Sequence, residues 1–194
     1  DALGEDTAIM VGHDWGSGAG WLTVFAHAER IISWTAMAIP HFGAFNRAVL
    51  NDPEQMQRSA YFEMFKKPML VEFLLTYNGQ SRLKKMLAKT PKKLREEYLS
   101  ILSEPGALTA ALNWYRALDG SAVVTSGIWD VDVQTPTLFI WGTHDGVVAR
   151  SSVVAQRSFI KGPYRELELD AGHGLIREKP EAVIEAVLTH LKKH

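Results

Sequence analysis

The sequence predicts an α/β protein built on a parallel sheet. Three observations carry that expectation. Short apolar runs alternate with helical patterns, as in residues 8–11, 31–39 and 137–142. A glycine-rich turn follows the first run at once, in Gly12-His13-Asp14-Trp15-Gly16. Acidic and basic side chains stand just past later runs, where open α/β sheets place function.

The elements follow in order. Ala8-Ile9-Met10-Val11 reads as a strand buried on both faces. Residues 21–30 carry helical spacing at Leu22, Phe25 and Ala26, and residues 31–39 form the next strand, stopping at Pro40. Residues 45–130 change character. They hold amphipathic helical patterns at 69–77, 83–87 and 93–102 and no convincing strand, and are read as an inserted helical lid. Thr137-Leu138-Phe139-Ile140-Trp141-Gly142 returns to strand. A helix is expected over 151–159, a strand over 164–169, and a closing helix over 180–191 with Pro180 in its first turn. The organisation is therefore core (1–44), lid (45–130) and core again (131–194).

Composition removes several function classes. The 194 residues are 46% hydrophobic and 22% charged, a globular balance, with a formal net charge of -1. Lys92-Lys93 and Lys192-Lys193 are only doublets, so no nucleic-acid stripe is present. No apolar run reaches the length of a membrane helix. The chain has no cysteine, which excludes disulfides, thiolate metal sites and a cysteine nucleophile. Leu3-Gly4 reads as the end of a helix with glycine at its left-handed cap, so the chain is expected to lack an N-terminal portion. No signal peptide is read within these residues, and a cytoplasmic location is expected for a chain whose N-terminus is expected to be truncated.

The turn has the form Gly-x-nucleophile-x-Gly, with Asp14 where lipases carry serine. Both glycines are expected to permit the sharp turn, and the following helix N-terminus to favour an ionised carboxylate. Gly-x-Ser-x-Gly occurs nowhere. Asp145, in Gly142-Thr143-His144-Asp145, follows the third strand, and His173, in Ala171-Gly172-His173-Gly174, follows the fourth. Nucleophile, acid and base in that order is the α/β-hydrolase order. The structural alternatives are a helix-capping Asp14, a turn aspartate and a loop histidine; together they explain the ordered set less well. His13 and Asp14 are adjacent but no metal-ligand spacing occurs, so neither metal nor organic cofactor is expected.

On Val11-Gly12-His13-Asp14-Trp15-Gly16, Leu112-Asn113-Trp114-Tyr115-Arg116, 137–145 and Ala171-Gly172-His173, the chain resembles the α/β-hydrolase superfamily. Within it the likeness is to the Asp-nucleophile branch of epoxide hydrolases and haloalkane or haloacid dehalogenases. The resemblance implies an α/β-hydrolase fold with an inserted helical lid, and absence of the family's N-terminal part with its His-Gly-x-Pro loop. It implies that Tyr115 and Tyr61, the latter seven residues before Pro68, are lid phenols that donate to an epoxide oxygen. Ala60, Glu63, Lys66 and Lys67 depart from the family's pattern around Tyr61. The implied reaction opens an epoxide to a vicinal diol through an ester of Asp14. His173, oriented by Asp145, activates water, and the Trp15 N–H contributes to the oxyanion hole.

Two alternatives stand beside it. The first is a haloalkane or haloacid dehalogenase with Trp15 as a halide donor, disfavoured because Pro40-His41-Phe42-Gly43 offers no carboxylate. The second is a non-catalytic fragment or binding module, whose exposed strand at 8–11 would need a dimer or strand exchange. The expected partner is a small-molecule epoxide or halide, with no nucleic acid and no membrane. Most tryptophans read as core or pocket wall, His41 as a loop residue, and His27, His190 and His194 as surface residues.

Overall fold

A computed structural model describes residues 4–117 and 129–194. Leu3 and the stretch 118–128 of the expected lid lie outside the described residues. Gly4 has φ 73°, and the helix expected to end at Leu3-Gly4 lies outside the described residues. Two compact units are present. One comprises residues 1–58 and 122–194, the other 59–121. Of the expected lid span 45–130, residues 45–58 and 129–130 therefore belong to the first unit.

The first unit is built on four parallel strands in the order β1-β2-β3-β4: β1 (Ala8–His13), β2 (Ile31–Met37), β3 (Thr137–Gly142) and β4 (Tyr164–Leu169). Every residue of β3 is buried, as a central strand of a covered parallel sheet should be. Its alternation assigns Phe139 and Trp141 to one core, with Trp21, Val24, Trp34 and Val153. Leu138 and Ile140 go to the other, with Met37, Leu175, Val183 and Ala186. Helices thus cover both faces: α1 (Trp15–Ala26) and α8 (Arg150–Gln156) on the first, α9 (Leu175–Glu178) and α10 (Pro180–Leu191) on the second. The helices α2 (Phe42–Asn51) and α3 (Pro53–Ser59) follow β2.

Several expectations shift for identifiable reasons. The first helix starts at Trp15 and not at residue 21, because its glycines serve close packing. A Cβ on Gly20 would stand 2.0 Å from the Trp34 ring, and one on Gly18 3.2 Å from Phe42. β2 stops at Met37 because Ala38 turns into the left-handed region at φ 67° and donates to Ile140 O at 3.0 Å. β1 is not buried on both faces. It is the sheet's edge among the described residues, and Ile9 and Val11 are close to half exposed. α8 ends at Gln156, and Ile160 instead bridges to Val133. His190 is buried, contrary to its surface reading. It continues the inward stripe of Val183 and Ala186, a spacing legible as one helical face.

The second unit is helical: α4 (Tyr61–Phe65), α5 (Leu70–Met86), α6 (Lys92–Ser103) and α7 (Ala107–Ala117). Within α5, residues Tyr77, Asn78, Gly79 and Gln80 leave helical geometry, which separates the two helical patterns read at 69–77 and 83–87. Phe65, Val71, Leu75, Leu83, Leu108 and Leu112 form its own core, with Tyr61 and Tyr115 against it. Among the described residues no helix is long and apolar enough to cross a membrane.

Candidate active site

The turn from β1 into α1 lifts Asp14 out of the sheet. Asp14 has φ 53° and ψ −121°, a costly backbone for a residue with a Cβ, on the order of 1–3 kcal/mol. Neighbours hold it there. Asp14 N–H donates to Met37 O at 3.2 Å, and Asp14 O accepts the first helical bond from Gly18 N at 3.0 Å. Ser17, fully buried, braces the turn. Its hydroxyl lies 2.9 Å from Gly12 O and 3.0 Å from Met37 O, and accepts from Met37 N at 2.8 Å. The two motif glycines are not equivalent. A Cβ on Gly12 would sit 2.4 Å from Gly16 O, whereas one on Gly16 would meet nothing within 4 Å. The turn needs glycine at 12 and leaves room at 16.

Asp145 is delivered by the loop after β3 and is buried. One carboxylate oxygen accepts from Val147 N at 2.7 Å and Val148 N at 3.1 Å, closing the turn on its own side chain. The other lies 2.8 Å from His173 Nδ1. The loop carrying His173 descends onto the end of β3 because residue 142 is glycine. A Cβ there would lie 2.4 Å from both Ala171 O and Gly172 O. His144 N donates to Ala171 O at 2.9 Å, Gly172 N to Glu178 at 2.9 Å, and His13 Nε2 to His173 O at 2.8 Å. His173 Nε2 then stands 2.6 Å from Asp14 Oδ1.

The electrostatics follow from this enclosure. Burial alone would raise the Asp14 pKa, but the His173 hydrogen bond and charge, and the Trp15 N–H donating to Oδ2 at 2.6 Å, hold it below the ordinary aspartate value. Burial alone would lower that of His173, but its bonds to Asp14 and Asp145 raise it to about 9. The resting site is therefore an ion pair, carboxylate on Asp14 and imidazolium on His173. His13 is shifted down, chiefly by burial, and stays neutral.

Asp14, Trp15, Asp145 and His173 thus come together in the first unit. Tyr61 and Tyr115 lie in the second, with ring centroids 5.8 Å apart at 73°, and both rings pack edge-on to Phe65. Sequence reading passed over Ser17, the His13 tie, and two α3 residues, Gln55 and Arg58, that bond to the Asp145 loop. His41 is also more than a loop residue. It is fully buried, stacks on Phe159 at 4.4 Å, caps α2 by accepting from Gly43 N, and donates to Val131 O at 2.9 Å. Among the described residues no group of three or more His, Cys, Asp or Glu side chains is placed to hold a metal ion.

Comparison with known proteins agrees with this architecture. Residues 1–180 match the family model described as the alpha/beta hydrolase fold. Epoxide hydrolase 3 of Xenopus tropicalis is 32% identical over 203 residues, covering 98% of this chain and 54% of that protein. Epoxide hydrolase A of Mycobacterium tuberculosis is 30% identical over 237 residues, covering 98% and 70%. A crystal structure of an epoxide hydrolase from Bacillus megaterium superposes with a TM-score of 0.87 at 22% identity, over 98% of this chain and 71% of that one. The chain spans about half the length of the first curated relatives it matches, 54% and 56%. With Asp14 on a strand-to-helix turn, Asp145 after β3 and His173 after β4, and with the family model matching residues 1–180, the chain belongs to the alpha/beta hydrolase fold family, as an epoxide hydrolase-like member.

Proposed function

We propose that the protein hydrolyses an epoxide to a vicinal diol through a covalent ester on Asp14. The observation that carries this reading is the identity and setting of residue 14. It is a carboxylate, not a hydroxyl, raised on the turn with His173 Nε2 at 2.6 Å and the Trp15 N–H at 2.6 Å. Relatives at 30% and 32% identity that bear the name epoxide hydrolase support it.

The ionised Asp14 attacks a ring carbon, and the carbon–oxygen bond breaks. We assign Tyr61 and Tyr115 as donors to the leaving oxygen, one of them giving its proton. Esterification removes the negative charge facing His173 Nε2. The imidazolium, raised to about 9 largely by that charge and by Asp145, becomes more acidic and releases its proton, which restores the tyrosine. Neutral His173 then takes a proton from water as the water attacks the ester carbonyl. The Trp15 N–H receives the oxyanion. Collapse expels the diol oxygen, which takes the His173 proton, and the new Asp14 carboxylic acid returns a proton to Nε2. Asp145 keeps Nδ1 as the proton-bearing nitrogen throughout. Residues 59–121 serve in this reading as the lid.

A single turnover in ¹⁸O-water tests the reading. Label should enter the Asp14 carboxylate and not the diol of the first turnover. Label in the first diol would mean direct attack by water. Halide release from haloalkanes without diol formation would instead favour dehalogenation.

A further inference from the structure

The turn that presents Asp145 has its own N–H groups occupied, because Asp145 Oδ1 accepts from Val147 N and Val148 N. Its carbonyls face a different element. Arg58 Nη1 donates to Asp145 O and, at 2.8 Å, to Val148 O. Gln55 Nε2 donates to Val147 O at 2.9 Å, while its Oε1 accepts from Ala149 N at 2.7 Å and from the Ser152 hydroxyl at 2.9 Å. Gln55, Val148, Ala149 and Ser152 are fully buried, so each missing bond would leave a polar group in a dry interior. α3 itself is fixed at its start. Asp52 Oδ1 accepts from Glu54 N at 2.9 Å, Pro53 occupies the first helical position, and the Ser151 hydroxyl donates to Asp52 Oδ2. Glu54 holds the Arg58 guanidinium from the other side at 2.5 Å.

All of these bonds lie within the first unit. They make a two-residue clamp on the acid turn, one helix face against three loop carbonyls, those of Asp145, Val147 and Val148. The backbone pairing of this loop with the β4 side ends at Thr143 and His144, which donate to Leu169 O and Ala171 O at 2.9 Å, so the carbonyls from Asp145 onward are held by that clamp.

We propose that Gln55 and Arg58 are positioning residues that set the Asp145 carboxylate against His173 Nδ1. The proposal rests on the reading of Asp145 and His173 as acid and base, but its main test uses no substrate. Freeing the turn lengthens the Asp145–His173 hydrogen bond and weakens the hold of the carboxylate on the imidazolium.

The test follows the His173 imidazole by NMR across pH in the intact protein. Wild type should titrate at about 9. Arg58→Met should bring the midpoint down by about one pH unit. It should also slow hydrolysis of the Asp14 ester by on the order of 10-fold to 100-fold, the scale expected of misplacement near 1 Å. Arg58→Lys, which keeps a cationic donor but not the fork, should fall between, and serves alone if Arg58→Met does not fold. Gln55→Met should move the midpoint the same way. A purely structural role would lower the melting temperature of these variants with the His173 midpoint unmoved, and that result overturns the proposal. A shifted midpoint in a protein that converts no epoxide would leave the clamp standing and remove the proposed substrate.

Discussion

His173 Nε2 and Asp14 Oδ1, 159 residues apart in the chain, stand 2.6 Å from each other as an imidazolium facing a carboxylate. Each ion holds the other charged in a partly buried site. In the proposed mechanism, chemistry that neutralises Asp14 changes His173 without moving it, and the same side chain passes from counter-ion to base.

Asp14→Asn separates the two roles of the carboxylate. The amide is a poor nucleophile at saturated carbon, so no covalent adduct should form and diol production should fall by at least about 10⁴-fold, as when a nucleophile is removed. Intact mass and a diol assay check both. The His173 midpoint should fall in the same variant, because its partner anion is gone.

Two histidines, His173 partly buried and His41 fully buried, should shape stability in opposite pH ranges. His173 is raised from 6.5 to about 9, so its contribution is complete below pH 6.5 and is lost as pH rises toward 9. His41 is lowered to about 4, chiefly by burial, so its contribution is present above pH 6.5 and lost as pH falls toward 4. Urea unfolding across pH should show both limbs. His173→Gln should flatten the alkaline limb and His41→Phe the acid one.

The elbow glycines should differ in tolerance. Gly12→Ala forces a Cβ to 2.4 Å from Gly16 O and should destabilise by more than about 2 kcal/mol. Gly16→Ala meets nothing within 4 Å and should stay within about 0.5 kcal/mol of wild type. Equal losses in thermal unfolding would contradict this account of the turn.

β3 was readable as a short apolar run, and β4 matches its expected bounds although Arg165, Glu166 and Glu168 make half of it charged. That Asp14, Asp145 and His173 meet was readable from their order, since each follows a strand and the fold brings strand ends together. What escaped depends on packing across distant segments. The glycines of α1 look like a loop until Trp34 is seen against Gly20. Ile9 and Val11 have the composition of a covered strand, but the edge position of β1 exposes them. Gln55 and Arg58 carry no local signal at all, because their partners are backbone atoms about 90 residues away. His41 could not be told from a loop histidine without the Phe159 ring and the Val131 carbonyl that enclose it.

The most direct test of the account is the intact mass of His173→Gln after incubation with an epoxide. Alkylation needs the Asp14 carboxylate and no base, whereas hydrolysis of the ester needs His173. The account predicts that this variant accumulates as protein plus one substrate mass, with peptide mapping placing the addition on Asp14. Unmodified protein that turns over as fast as wild type, or an adduct on any other residue, would contradict it.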